Sequence, residues 1–153
     1  MTLHIQQQVL NAVRAALIAA STAAGARVYV DHPDELTAAQ LPAIVLVAGD
    51  ERIERMGDFG FPFTQVRRLD LSLHSVCGGP GAAAAARGLA AQAEAALYAS
   101  NEVSRLYGLC AQPLDLQGST SALSGQGSQL VAETCQTWLA SYMTTAGQAG
   151  SPV

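Results

Sequence analysis

The stretch Gly78 to Ala84, GGPGAAA, carries the spacing that comes nearest to a chemical motif. Gly79, Gly81 and Ala84 satisfy G-x-G-x-x-A, in which glycines let a backbone approach a pyrophosphate at a helix N-terminus. A dinucleotide fold also needs a buried parallel strand before the turn, a second parallel strand after the helix and an acidic residue at that second strand's end. The preceding segment, LDLSLHSV, has a solvated face, and beyond Tyr98 only Asn101 and Glu102 stand ahead of a weak apolar stretch. A lysine-dependent phosphate loop is excluded because the chain has no lysine. The turn therefore reads as a sharp reversal from strand to helix.

Other chemistry is no better supported. His74 and Cys77 lie three apart on a strand, so their side chains point to opposite faces. The histidines show no ligand spacing with the cysteines, and no G-x-S-x-G places a serine nucleophile. Cys77, Cys110 and Cys135 are odd in number and widely spaced, which reads as buried free thiols. The acidic groups Asp31, Asp34, Glu35 and Asp50, Glu51, Glu54, Asp58 read as solvated loop charge. No catalytic, cofactor-binding or metal-binding residue is expected.

Half of the 153 residues are apolar and only 13% are charged, about half the share of about 25% in an average soluble domain. Ala, Ser, Gln, Thr and Gly must cover much of the surface, and such a surface suits burial against other subunits. A formal charge of −4 without lysine offers no basic stripe, so direct nucleic-acid binding is disfavoured. No apolar run is long enough to span a membrane and the N-terminus lacks a signal-peptide pattern, which places the protein in the cytoplasm.

The elements follow from periodicity. Ile5, Val9, Val13, Ala16, Leu17 and Ala20 recur at helical steps, predicting an amphipathic helix over residues 3–22 that stops at Gly25. Residues 27–30 make a short strand. Ala43 to Ala48 is continuously apolar, as in a strand covered on both faces. Residues 66–76 alternate, with Leu69, Leu71 and Leu73 on one face and Arg68, Asp70, Ser72 and His74 on the other, as in a half-exposed antiparallel strand. A helix runs from Pro80 to about Tyr98, with Leu89, Ala93, Ala96 and Leu97 buried. A strand over 113–120, a turn over 121–128 and a strand over 129–143 in mid-sheet or paired with a neighbouring subunit complete the chain. The fold class is α+β: a mixed, mainly antiparallel sheet of four to five strands, with an N-terminal helix and a second helix packed on one face. Residues 1–145 form a single domain, and 146–153 a flexible tail.

Residues 49–63, GDERIERMGDFGFPF, read as a long loop or hairpin arm. Phe59, Phe61 and Phe63 are all the phenylalanine in the chain, gathered near Arg52, Arg55, Arg67 and Arg68. Aromatics with arginine make interface hot spots; alternate phenylalanines entering the core as a strand begins is the other reading. Asp50, Glu51, Arg52, Arg55, Phe59 and Phe61, with an exposed face of Arg67, Arg68 and Asp70, are the candidate interaction residues.

In this order the elements resemble the tail terminator, or tail-completion, proteins of long-tailed bacteriophages, also described as minor tail protein U-like. The likeness is carried by the N-terminal amphipathic helix, the strand LPAIVLVAGDERIE with its glycine-acidic turn, the strand QVRRLDLSLHSVCG with the helix after it, and the last strand VAETCQTWLASYM. It covers nearly the whole chain through patterns of hydrophobicity. The resemblance implies a non-enzymatic virion-assembly subunit, active or carried in a prophage, that forms a homohexameric ring on the head-proximal end of the tail tube. There it halts polymerisation and presents a surface for head joining. The implied partners are copies of itself, in a ring or as a monomer until it meets the tube, the major tail tube protein and a head-completion or connector protein, in the host cytoplasm and then the virion tail. Another connector or neck protein, or a tail-tube protein, is the nearest alternative; an enzyme using the Gly78–Gly81 turn is the alternative from another class.

Overall fold

A computed structural model describes residues 3–32, 35–57 and 60–153, apart from the side chain of Ser128. The elements are helix α1 (Ile5–Ala19), strand β1 (Val28–Val30), strand β2 (Ala43–Arg55), strand β3 (Thr64–Gly78), helix α2 (Ala82–Leu97), a single helical turn α3 (Asn101–Ser104), strand β4 (Asp115–Ser124) and strand β5 (Val131–Thr145). They form one five-stranded sheet in the order β1-β2-β3-β5-β4. Only β1 runs parallel to its neighbour; every other pairing is antiparallel. This is an α+β fold with a mixed, mainly antiparallel sheet.

The centre of the sheet is the pairing of β3 with β5, in register from Thr64 opposite Thr145 to Gly78 opposite Val131. Because strand side chains alternate, that register assigns two faces at once. Leu69, Leu71, Leu73 and Cys77 of β3 join Ala132, Trp138, Ala140 and Tyr142 of β5 in a core closed by Ile5, Val9, Val13 and Leu17 of α1 and Ala86, Leu89, Ala93 and Leu97 of α2. Leu10 is also buried in α1, whereas Ala20 is exposed and lies beyond the helix end. The α1 start is fixed by the His4 imidazole, whose Nδ1 accepts the Gln6 N–H at 3.1 Å. Small alanines let α2 lie close to the sheet. The opposite sheet face has no helix on it among the described residues, and its side chains along β3 and β5 are half-buried.

Two expectations change, on the cover of β2 and the length of β4. Strand β2 is not covered on both faces: Val45 is half-buried and Val47 is 37% exposed, because both helices pack on the other side. The segment 49–63, expected as a loop or a hairpin arm, takes the hairpin form. Strand β2 runs on to Arg55 and pairs with β3 as a hairpin, with the Met56 N–H donating to the Thr64 carbonyl at 2.9 Å. Strand β4 is longer than expected and reaches Ser124, so the turn begins only at Gly125. Residues of the tail, 146–153, also make hydrogen bonds to the rest of the chain. The Ile5 N–H donates to the Ala149 carbonyl, the Gln8 amide to the Gly150 carbonyl, and the Val153 N–H to the Met143 carbonyl.

Leu73 is 1% exposed under both helices, so Leu73→Ala should cost about 2–5 kcal/mol in urea unfolding. Thr120→Ala on the exposed β4 edge should change stability by less than about 0.5 kcal/mol in the same assay.

Candidate functional site

The glycine turn is a corner. Gly79 and Gly81 have φ of +83° and +76°, a region where a side chain is strained. The Gly79 N–H is already donated to the Leu130 carbonyl at 2.8 Å, and the Ala82 N–H to the Gly79 carbonyl at 3.1 Å. These are donors a phosphate would need. The cleft beside the turn, about 550 Å³, is lined by Leu36, Leu41, Pro42, Cys77 and Leu130 among others, with no charged side chain among the described residues of its lining. Strand β3 is moreover antiparallel to both its neighbours, so the parallel unit of a dinucleotide site is not formed.

The β2–β3 hairpin is the better candidate, and its root is a buried polar network. Up to Ala48, opposite Leu71, alternation would turn Asp50 to the helix face and Glu51 to the open one. A bulge then inserts one residue, so that Glu51 pairs with Leu69 and turns inward. Gly49 permits this, since a Cβ there would stand 3.2 Å from the Asp70 carbonyl oxygen.

Inward-facing Glu51 meets inward-facing Arg67, Nη1 to Oε1 at 2.7 Å, each side chain 9% exposed. The Glu51 carboxylate also accepts from the Tyr142 hydroxyl and from the Gln6 amide at 2.9 Å. Arg67 donates further to the Thr144 hydroxyl at 2.8 Å and to Gln65 at 3.2 Å. Burial alone pushes the Glu51 carboxyl up, but hydrogen bonds from Tyr142, Gln6 and Arg67 together with the Arg67 charge outweigh it and hold it below its ordinary value of 4.5. Burial and the neighbouring Glu51 push the Tyr142 hydroxyl well above its usual range. The network thus clamps the hairpin root to α1 and β5.

Arg67 is therefore not on the exposed face expected for it. It shares the face of Leu69, Leu71 and Leu73, and its charge is satisfied inside the fold. Glu51 likewise faces inward. Arg68 and Asp70 do lie on the open face, where Arg68 pairs with Glu54 at 2.9 Å and Asp70 receives both terminal nitrogens of Arg52 at 3.3 and 3.4 Å. Asp50 is exposed at the bulge.

Beyond the root the hairpin outruns the helices. Ile53, Met56 and Phe61 are 48%, 49% and 78% exposed. Phe61 packs edge-to-face on Phe63 with ring centroids 6.3 Å apart, and the Arg55 guanidinium lies 4.2 Å over the Phe63 ring. Phe61 does not enter the core. Phe59 and Asp58 lie outside the described residues. Of the candidate residues, the fold gathers Arg55 and Phe61 at the tip, Arg52, Arg68 and Asp70 on the open face, and Glu51 and Arg67 in the clamp.

Sequence spacing missed one cluster. His74 stands opposite Cys135 in the β3–β5 register, with Glu133 on the same face. Its Nδ1 meets the Glu133 carboxylate and its Nε2 lies 4.0 Å from Cys135 Sγ. Cys77 and Cys110 are buried as expected, but Cys135 is only half-buried. Burial, and then the Glu133 charge, push its thiol up, against a hydrogen bond from Ser72. Burial carries the Cys110 thiol to about 12, despite the opposing charge of Arg105.

No protein-family model matches the chain, and no curated protein matches it. Among solved structures it is similar to a chain from the virion of a native gene transfer agent particle, with 17% identity over 94% of this chain and 96% of that one and a TM-score of 0.45.

Removing one member of the buried pair, by Arg67→Met or Glu51→Met, should cost about 3–5 kcal/mol in urea unfolding. The double variant should recover part of that loss, giving a coupling above about 1 kcal/mol in the mutant cycle. With its folded pKa below its unfolded one, Glu51 contributes stability that is complete above pH 4.5 and is lost as pH falls through the folded value. Wild-type stability in urea should accordingly fall more steeply than that of Glu51→Gln as pH is lowered below 4.5.

Proposed function

We propose that the chain is a non-enzymatic virion-assembly subunit of the tail terminator type. In this reading it assembles as a ring on the head-proximal end of a phage tail tube, ends tube growth and offers the surface for head joining. The observation that carries the assembly part is the clamped hairpin whose outer half exposes Ile53, Met56 and Phe61 beside Arg55. Fully burying one such apolar side chain is worth about 1.5–3 kcal/mol, and a fold that holds several in water on a rigid arm has its return in association.

A second feature supports the same reading. Strand β4 is a ten-residue sheet edge, all of it exposed except Leu116, and its only charged residue is Asp115. Sheet edges of free monomers are usually blunted by lysine, proline or inward-pointing charge; β4 carries a bulge between Leu116 and Gly118 and no lysine or proline. An arm at one end of β3 and an open edge at β4 are different surfaces. Two different surfaces joining successive copies make a heterologous contact, which closes into a ring when the rotation divides the circle. The tail terminator assignment itself rests on the order of elements and the hydrophobic patterns described above. Hexameric closure, the major tail tube protein and a head-completion or connector protein as partners, and residence in the host cytoplasm and then the virion tail belong to that assignment. Among the described residues no helix is long and apolar enough to cross a membrane.

Electron microscopy of tails assembled with and without the protein tests the reading: tubes of regulated length should appear only in its presence. Ile53→Ser with Phe61→Ser should change urea stability by less than about 1 kcal/mol, yet abolish ring formation and tail joining. Normal tails formed with that variant would remove the arm from the proposal, and normal virions formed without the protein would remove the function.

A further inference from the structure

The uncovered sheet face carries a donor set that the assembly reading does not use. His74, Glu133 and Cys135 each bring one ligand atom within 4.8 Å of the other two. They are held there by the central ladder: His74 and Cys135 are direct cross-strand partners, and Glu133 is two residues along the same strand. All three are half-buried, so the donors are partly shielded yet reachable from solvent. Ser72 on the same face supports the Cys135 sulfur through its hydroxyl.

Thiol, imidazole and carboxylate together can serve two chemistries. A thiol nucleophile would need oxyanion donors, but the backbone around Cys135 lies between two paired strands, β3 and β4, whose ladders take up its amides. A cation needs only the donors. We propose that His74, Glu133 and Cys135 form a binding site for a zinc-class divalent cation on the open face of the sheet, with a fourth position left to solvent. Thiolate with imidazole and one carboxylate selects zinc over magnesium or calcium, which take all-oxygen shells. Ligand bonds of about 2.0–2.3 Å separate tetrahedral donors by roughly 3.3–3.8 Å. The 4.0 Å between His74 Nε2 and Cys135 Sγ therefore needs only a small contraction, whereas the Glu133 carboxylate, which meets the other ring nitrogen, Nδ1, must leave it and turn toward the ion. On binding, Cys135 gives up its thiol proton to solvent and its sulfur donates an electron pair to the ion. A lone pair of a His74 ring nitrogen and a Glu133 oxygen fill two further positions. No bond is oxidised or reduced. The ion staples β3 to β5.

Cobalt(II) titration of the full chain tests this. The wild type should develop visible d–d bands and a near-ultraviolet thiolate-to-cobalt band that saturate at one ion per chain and are bleached by zinc. Cys135→Ser should lose the thiolate band, while His74→Ala and Glu133→Gln should weaken binding about tenfold or more. Zinc should also raise the wild-type melting temperature, reversibly with a chelator, and leave that of His74→Ala unchanged. That second measurement stands if Cys135→Ser folds poorly. No saturable band in the wild type, or a band undiminished in Cys135→Ser and therefore owed to Cys77 or Cys110, would overturn the site. Neither outcome bears on tail assembly.

Discussion

The unbroken antiparallel register between β3 and β5 is the constraint on which the molecule depends. Two strands of the same length, each alternating, can bury one row of side chains only if both rows fall on the same side; a slip of one residue would send Leu69, Leu71 and Leu73 to the side opposite Trp138 and Tyr142. With the register set, both helices have one apolar surface to cover, and they cover it. The other surface mixes ion pairs and small polar groups with Val45, Val47, Val76, Leu139 and Met143, none of which has a helix over it among the described residues.

The same ladder supports the hairpin that leaves the globule. A strand pair extending past its helices would be a weakly held ribbon if backbone pairing were its only support. The clamp of Glu51 and Arg67 changes that, because it joins β2 and β3 to Gln6 of α1 and to Tyr142 and Thr144 of β5. A buried ion pair adds little net stability over apolar packing of equal volume. What it supplies here is direction: the charges have partners in one arrangement of the hairpin root, so the arm beyond is aimed. In the association proposed above, an aimed arm lowers the entropy lost when Ile53, Met56 and Phe61 are buried.

The open face divides into a charged end near the arm, where Arg52, Arg68, Asp70 and Glu54 pair in solvent, and a central cluster at His74, Glu133 and Cys135. The exposed ion pairs contribute at most about 1 kcal/mol each, so they do not explain stability. They leave a surface of mixed sign whose partners can be exchanged for those of another molecule at modest cost.

Periodicity within single segments determined a good deal on its own. It placed α1 and α2, the covered row of β3, and the α+β class, because each is written in the spacing of residues along one stretch of chain. Arg67 was legible in the same way, as it falls in step with Leu69, and grouping it with Arg68 for its charge overlooked that period. Tertiary structure alone decided what depends on partners distant in the chain. The bulge at Gly49 and Asp50 turns Glu51 inward only because Leu69 and Arg67 lie across from it. The tail is tied because α1 and β5 offer it carbonyls and amides. His74 meets Cys135 across 61 positions of sequence. Alternation states which face a side chain takes, whereas register and bulges state whom it meets there, and those are settled by the packing of the whole sheet.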